Sequence, residues 1–286
     1  MNETISKKRK VKIAFLNGLI WTSASLICLL LLGIVVCILY KGLLHITGTL
    51  LTSKPSLLDG TVGILPNILN TLYIILITLF IVLPLGVGSA IYLNEYATNN
   101  KAVRIIELAT ETLAGIPSII YGLVGMLIFV QFCSLGTSLL AGALTLVIMT
   151  LPTIIRTTQE SLKTVLDSYR EGGLALGAGK WYMIRTVVLP SAIDGIVTGC
   201  ILATGRIIGE SAALLFTAGM ANEMLSIINA VSPNNAGSTL TVSLYMYAKE
   251  RGDFDTAFAV AAILLVLTLI INMSAKYVAK KLKKGV

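Results

Sequence analysis

The chain has 286 residues, of which 56% are hydrophobic and only 13% are charged, and its mean hydropathy is +0.88. Soluble domains carry about 25% charged residues. This composition therefore excludes an ordinary soluble enzyme and predicts an all-α, multi-pass membrane protein with the lipid bilayer as a partner. The net charge of +8 does not indicate nucleic acid, because most basic residues flank hydrophobic segments.

Six segments are apolar and long enough to form transmembrane helices, which need about 20 residues each. They are residues 17–40, 68–93, 107–132, 135–155, 192–216 and 256–277. The apolar run 19–40 is too long for the hydrophobic part of a signal peptide, so we expect the first segment to be retained. The loops long enough to fold are 41–67, 156–191 and 217–255. In the last loop, residues 240–248 predict a short helix that lies on the outer face or dips into it.

Lysine and arginine are distributed unevenly between the loops, and this asymmetry orients a membrane protein. With the N-terminus inside, seventeen of the 22 Lys and Arg residues fall on the cytoplasmic side and four on the outer side, while Arg206 lies within a segment. The sequence therefore predicts six transmembrane helices with both termini in the cytoplasm.

The residues that usually carry redox, metal or hydrolytic chemistry are sparse. The cysteines all fall in apolar runs, at Cys28, Cys37, Cys133 and Cys200, and His45 is the single histidine. No Cys/His cluster and no phosphate-binding glycine loop of the kind found in ATPases is present. We expect no metal, no cofactor and no disulfide, and a non-catalytic chain that does not itself hydrolyse ATP.

Two ionisable residues, Arg206 and Glu210, lie four positions apart inside the fifth segment. A charge at the bilayer centre costs roughly 2.5–3.5 kcal/mol on insertion scales, so such residues usually have a function. On a continuous helix the two side chains share a face and can pair, and a guanidinium suits a tetrahedral oxyanion. We predict that Arg206 contacts a translocated anion, with Glu210 holding it when the anion is absent. A structural ion pair is the alternative.

Prolines and two other acidic residues mark further positions. Pro84 and Pro117 each remove one backbone hydrogen bond, which predicts kinks in the second and third segments. Glu95 is expected to be a solvated interface residue near neighbouring basic side chains, and Glu111 to face a cytoplasmic vestibule.

The cytoplasmic loop 156–191 predicts two short helices joined by a glycine-rich elbow. Its spacing is Glu171-Gly172-Gly173, three residues, Gly177, nine residues, Val187, one residue, and Leu189-Pro190. This spacing resembles the Glu-Ala-Ala signature of permease subunits in ABC importers, with Gly for both Ala and Val for Ile. The resemblance implies that the loop docks on an ATP-hydrolysing subunit and transmits its motion.

Three further stretches resemble the permease family of bacterial phosphate importers. They are Ala-Ile-Tyr-Leu-Asn-Glu-Tyr-Ala at 90–97, Leu-Ala-Gly-Ile-Pro-Ser-Ile-Ile-Tyr-Gly at 113–122 and Gly-Arg-Ile-Ile-Gly-Glu-Ser-Ala at 205–212. The resemblance covers about 61–277 and implies a type I ABC importer transmembrane domain over 61–279. Residues 1–60 would hold the N-terminal tail and first helix, and 280–286 a basic cytoplasmic tail.

This resemblance also implies a location in the bacterial plasma membrane and a set of partners. The partners would be inorganic phosphate, a dimer of ATP-binding subunits, a second permease subunit and an extracytoplasmic phosphate-binding protein. Two alternatives stay open. One is a permease of the same class for another oxyanion or small solute, and the other is a stand-alone secondary transporter or membrane enzyme.

Overall fold

The computed structural model describes residues 7–55 and 62–284, and all regular elements in these ranges are helices. The helices are α1 (Lys7–Leu44), α2 (Gly48–Thr52), α3 (Leu65–Ile91), α4 (Asn100–Ala114), α5 (Ser118–Gly125), α6 (Leu139–Lys163), α7 (Asp167–Ala175), α8 (Lys180–Met183), α9 (Leu189–Ser191), α10 (Ile193–Gly209), α11 (Ala212–Thr217), α12 (Ile227–Ala230), α13 (Leu240–Tyr245) and α14 (Phe254–Lys284). Four π-helical stretches extend or join them: Tyr92–Tyr96, Met126–Phe132, Ile184–Val188 and Met246–Glu250.

Four helices are long and apolar enough to cross a membrane by themselves. They are Lys12–Leu44, Leu65–Tyr96, Leu139–Lys163 and Phe254–Tyr277. Two bent helix pairs raise the number to as many as six if each pair is one span. The all-α membrane fold is confirmed, and the orientation stays a prediction. The fourth span reaches Lys163 rather than ending at 155, so the predicted cytoplasmic loop is shorter than expected.

The third predicted segment is broken at the Gly-Ile-Pro sequence. The helix over Lys101–Ala114 and the one over Ser118–Phe132 meet at 99°. Pro117 precedes α5 with an extended ψ of 138°, and the Tyr121 hydroxyl donates to the Leu113 carbonyl oxygen at 2.8 Å across the bend. In contrast, α3 continues as one helix on both sides of Pro84.

The fifth predicted segment is also discontinuous. It was expected to be one helix over 192–216, but α10 ends at Gly209 and α11 begins at Ala212. Glu210 between them has an extended backbone, with φ −82° and ψ 121°. An interrupted helix is tolerated at membrane depth where protein groups form hydrogen bonds with its free backbone N–H and C=O groups. Here such bonds are made at the end of α10 and at the start of α11.

The core lies where α3, α6 and α10 pack together with α11 and α13. Its large, fully buried side chains include Ile74, Leu146, Met149, Ile207 and Leu214. The short helix predicted over 240–248 is α13 with its π-helical extension. Residues 240–243 are all buried, so the helix dips into the bundle rather than lying on its surface. Its apolar members Leu240 and Val242 belong to core clusters, and α13 packs against α3 and α14.

The first helix stands apart from this core. Residues 12–37 of α1 are all exposed, and close packing begins at Gly42, which lies against Phe258 and Ala262 of α14. The predicted domain boundary at 60/61 lies outside the described residues. The predicted basic tail begins as helix, because α14 runs to Lys284, and residues 285–286 lie outside the described part.

Candidate translocation and coupling site

Arg206 lies one turn before the end of α10 and is half-buried. No hydrogen bond or ion pair joins its guanidinium to any residue in the described part of the chain. Tyr121 of α5 lies close enough for the Arg206 charge to act on its hydroxyl. The side chain therefore lies within electrostatic reach of Tyr121, and its hydrogen-bond donors are unused within the described residues.

Glu210 does not pair with Arg206, which corrects the prediction from the sequence. The pairing required a continuous helix, and α10 ends before Glu210 is reached. The Glu210 side chain turns the other way: its Oε1 accepts from the backbone N–H of Ala213 at 3.1 Å, and the residue is only 8% exposed. Glu210 is thus a cap for α11, in which a carboxylate satisfies a free N–H in the first turn.

The end of α10 is satisfied by a residue that sequence reasoning missed. The Thr241 hydroxyl of α13 lies 3.0 Å from the Ile208 carbonyl oxygen and 3.1 Å from that of Glu210. Tyr121 was missed as well, although it lies in a stretch used for the resemblance. Both act through contacts between distant parts of the chain, and no local sequence signal marks them.

The glycines of α10 fall into two pairs with different surroundings. A Cβ added to Gly195 or Gly199 would collide with Ser161 or Thr157 of α6, whereas Gly205 and Gly209 have no neighbouring atom within 4 Å of that position. The first pair therefore allows close packing within the chain, and the second borders an open face next to Arg206.

The predicted coupling loop forms a hairpin over residues 167–191, consisting of α7, α8 and α9. Gly177 ends α7 with φ +78°, a conformation that favours glycine, and this produces the elbow. The signature residues divide into two groups. Glu171, Gly172 and Gly177 are exposed, whereas Gly173, Leu189 and Pro190 are partly covered by the rest of the chain.

Apolar side chains also project from the hairpin into solvent. Leu176 is 90% exposed, and Leu174, Trp181 and Tyr182 are each more than half exposed. Large apolar groups clustered on an otherwise polar surface usually mark a protein contact. The hairpin therefore presents a surface suited to a partner protein.

Glu95 is not a solvated interface residue, which corrects a second expectation. Its side chain is 5% exposed and forms an ion pair with Arg170 of the hairpin at 3.0 Å. Sequence reasoning considered only nearby basic residues, and the actual partner lies 75 positions further along the chain.

Glu111 lines an open cavity of about 280 Å³ between α4 and α6, on the predicted cytoplasmic side. The cavity contains exposed ion pairs, with Arg156 3.7 Å from Glu111 and 3.0 Å from Glu160. Exposed pairs of this kind contribute little to stability. The cavity is open and lined by charged side chains, and its role as a vestibule stays a prediction.

Comparison with known proteins places this geometry in a family. A family model described as "Binding-protein-dependent transport system inner membrane component" matches residues 82–284. The "Probable ABC transporter permease protein YqgI" of Bacillus subtilis is 34% identical over 96% of this chain and 98% of its own length. The "Phosphate transport system permease protein PstA homolog" of Mycoplasma pneumoniae is 34% identical over 73% of this chain and 33% of its own length.

A solved structure shows that the fold is shared more widely. The permease-containing "bacterial alginate ABC transporter in complex with alginate pentasaccharide-bound periplasmic protein" includes a chain with a TM-score of 0.68, 14% identity and 99% coverage of both chains. At this identity the likeness concerns the fold alone. The family match and the long alignment with a permease are sufficient to classify the protein. The chain belongs to the family of inner membrane components of binding-protein-dependent transport systems, and it is a multi-pass permease subunit of the ABC importer class.

Proposed function

We propose that this chain is a PstA-like permease subunit through which inorganic phosphate crosses the plasma membrane. The relative named as a phosphate transport permease aligns with most of this chain at 34% identity. Fold alone does not select the substrate, because a chain of the same fold belongs to an alginate transporter. The substrate must be argued from the site.

The observation that carries the proposal is the unpaired guanidinium of Arg206. Keeping a charge at this depth costs roughly 2.5–3.5 kcal/mol, and the described part of the chain supplies no counter-charge. Guanidinium stays protonated at any physiological pH and offers a planar set of donors that matches the oxygens of phosphate. A passing oxyanion would accept hydrogen bonds from these donors. No carboxylate of the described chain pairs with the guanidinium and would compete with the anion for it.

The hairpin over 167–191 supports dependence on an ATP-binding subunit. By the family resemblance, Glu171, Gly172 and Gly177 would contact that subunit, and these three residues are on the exposed side. Gly173, Leu189 and Pro190 would instead maintain the shape of the hairpin, since they pack inwards. The chain itself would hydrolyse no ATP and would need two ATP-binding subunits for transport.

Two other partners complete the proposed machine. A second permease subunit would meet the open face of α10 at Gly205 and Gly209, where close helix approach is possible. An extracytoplasmic phosphate-binding protein would deliver the substrate to the outer side. In the proposed complex, the bend at Pro117 would keep Tyr121 within electrostatic reach of Arg206, whereas Pro84 lies inside the continuous helix α3.

The test is ATP-dependent uptake of radiolabelled phosphate by vesicles that contain the reconstituted complex. Wild type is compared with Arg206→Gln and Arg206→Lys, and Arg104→Gln serves as a control because Arg104 is exposed on α4. We expect Arg206→Gln to lower uptake by about tenfold or more, since a hydrogen bond to a charged group contributes about 1.5–3 kcal/mol. Arg206→Lys should retain part of the uptake, and Arg104→Gln should not differ from wild type.

Competition with sulfate and molybdate distinguishes the substrates. Phosphate uptake that neither anion inhibits supports a phosphate permease. Absence of phosphate uptake by an assembled wild-type complex would contradict the proposed substrate and favour a permease for another solute. Full uptake by Arg206→Gln would remove Arg206 from the path.

A further inference from the structure

A buried ion pair joins the hairpin to the end of the second span. Glu95 lies in the π-helical turn Tyr92–Tyr96 after α3, and Arg170 lies in α7. The side chains are 5% and 16% exposed, and the Arg170 Nε and Nη2 donate to Glu95 Oε1 at 3.2 and 3.0 Å. Taking such a pair out of water is costly, so a pair kept there usually defines a particular geometry.

Arg170 forms hydrogen bonds with all its donors. Besides the two bonds to Glu95, its guanidinium donates to the Leu162 carbonyl at 2.8 Å, to the Val165 carbonyl at 2.7 Å and to Asp167 Oδ1 at 2.9 Å. A guanidinium has five N–H bonds, and all five are used. One side chain therefore connects the end of α6, the start of α7 and the end of α3.

Apolar contacts surround this connection on the same side of the bundle. Ala90 and Ile91 of α3 form a buried cluster with Leu162, Val165, Met183, Ile184, Val188 and Ala192. The Lys180 ammonium also lies 5.0 Å from the centre of the Tyr96 ring. The hairpin thus rests on the last turns of α3, whereas the ion pairs of α4 are made to α6.

The other end of α3 reaches the outer loop. The Thr71 hydroxyl accepts from the backbone N–H of Leu240 at 2.9 Å, and Asn67 donates to Asn222 at 2.8 Å. A rigid helix that contacts the hairpin at one end and the outer loop at the other can carry a displacement from one side to the other.

We propose that Glu95 and Arg170 are positioning residues that make the hairpin and the end of α3 move as one body when the ATP-binding subunit moves the hairpin. This role rests on the proposed function of the hairpin as the coupling element. Exposed pairs such as Arg156–Glu160 do not have this positioning role, because their side chains can separate in water at little cost.

The direct test measures a distance that needs ATP but no transported solute. Spin labels are attached at Ser168→Cys and Tyr92→Cys, both exposed positions and neither among the residues expected to contact the ATP-binding subunit, after the four native cysteines have been replaced by serine. The assembled complex is examined with and without ATP and vanadate by pulsed electron resonance. In wild type we expect one narrow distance distribution that nucleotide does not change.

Glu95→Gln should broaden this distribution and make it depend on nucleotide, because the charge that binds the guanidinium is lost. Asp167→Asn is the matched control: it alters an exposed bond of the same guanidinium, since the Asp167 side chain is 86% exposed, and should leave the distribution narrow. A distribution in Glu95→Gln as narrow as in wild type would overturn the proposal.

A second readout separates positioning from folding. Glu95→Gln should lower the ratio of solute transported to ATP hydrolysed by about tenfold, while assembly and basal ATPase activity remain. If Glu95→Gln does not assemble, the same measurements are made on Arg170→Lys. Loss of assembly in both would assign the pair to folding and overturn the proposal. Failure of wild type to take up phosphate would contradict the proposed substrate only, because the distance measurement does not depend on it.

Discussion

Two shielded arginines of this chain have opposite surroundings. Arg170 uses all five of its N–H bonds within the chain, whereas Arg206 uses none within the described residues. A satisfied guanidinium fixes the elements it joins, and an unsatisfied one is available to a group outside the chain. The difference separates a charge that holds the hairpin in place from one whose donors stay available, which we propose receive an anion.

Replacing each arginine in turn tests whether the two contribute differently to stability. Arg170→Ala leaves Glu95 buried without a counter-charge and should lower the free energy of unfolding by about 3 kcal/mol. Arg206→Ala removes no hydrogen bond or ion pair within the described chain and should lower that free energy far less, by lost packing alone. Chemical denaturation of the full chain in detergent measures both, and equal losses would contradict the distinction.

The two glycine pairs of α10 distinguish packing within the chain from contact with a partner subunit. Gly195→Ala would bring a methyl group against the Ser161 Cβ and should cost about 1–3 kcal/mol by separating α10 from α6. Gly205→Ala meets no atom of the chain and should not destabilise it. If a second permease packs there, Gly205→Ala should instead reduce copurification of that subunit. A stability loss in Gly205→Ala alone would reverse this assignment.

Glu210 tests whether the anion site depends on an internal carboxylate. Because Glu210 caps α11, Glu210→Ala should lower the free energy of unfolding by about 1 kcal/mol. Glu210→Gln retains an oxygen acceptor for the Ala213 N–H and should be close to wild type in stability and in uptake. Were Glu210 instead the partner of Arg206, the Gln variant would be the one that changes transport, since it loses the charge.

A smaller effect is expected at Asp253, a half-buried acidic cap outside the spans. Hydrogen bonding from Thr256 to Asp253 lowers the pKa of this carboxyl below its ordinary value of 3.8. A lowered pKa in the folded state contributes stability above pH 3.8, and this contribution is lost as the pH falls through the folded-state pKa. Asp253→Asn should therefore be slightly less stable than wild type at pH 7, with the difference shrinking towards pH 3 in parallel melts.

The spans were predictable because each is an uninterrupted apolar run of sufficient length, as in α1, α3, α6 and α14. The break at Pro117 was foreseen as a kink, but its 99° angle depends on the Tyr121–Leu113 hydrogen bond, which joins residues on both sides of the bend. Local sequence indicated where the helix weakens and not how far it turns.

The break at Glu210 had no local signal, because the apolar run continues and contains no proline. It is stabilised by Thr241, whose hydroxyl reaches the Ile208 carbonyl from 33 residues away. The same limitation explains the wrong expectation for Glu95. The basic residues nearest to it in sequence suggested a solvated surface, whereas its actual partner is the distant Arg170, with which it forms a buried pair. Arg206 was identified correctly as a charge in a span, and its lack of an internal partner required the structure.

The exposed first helix has a consequence for how the protein sits in its membrane. With 38 residues at about 1.5 Å per residue, α1 is roughly 57 Å long, well beyond the ~30 Å hydrocarbon layer. Within the described chain, close packing holds it at the Gly42 end. Its tilt is therefore left to hydrophobic mismatch with the lipid, so that a thinner or thicker bilayer would reorient this helix before it strained the bundle.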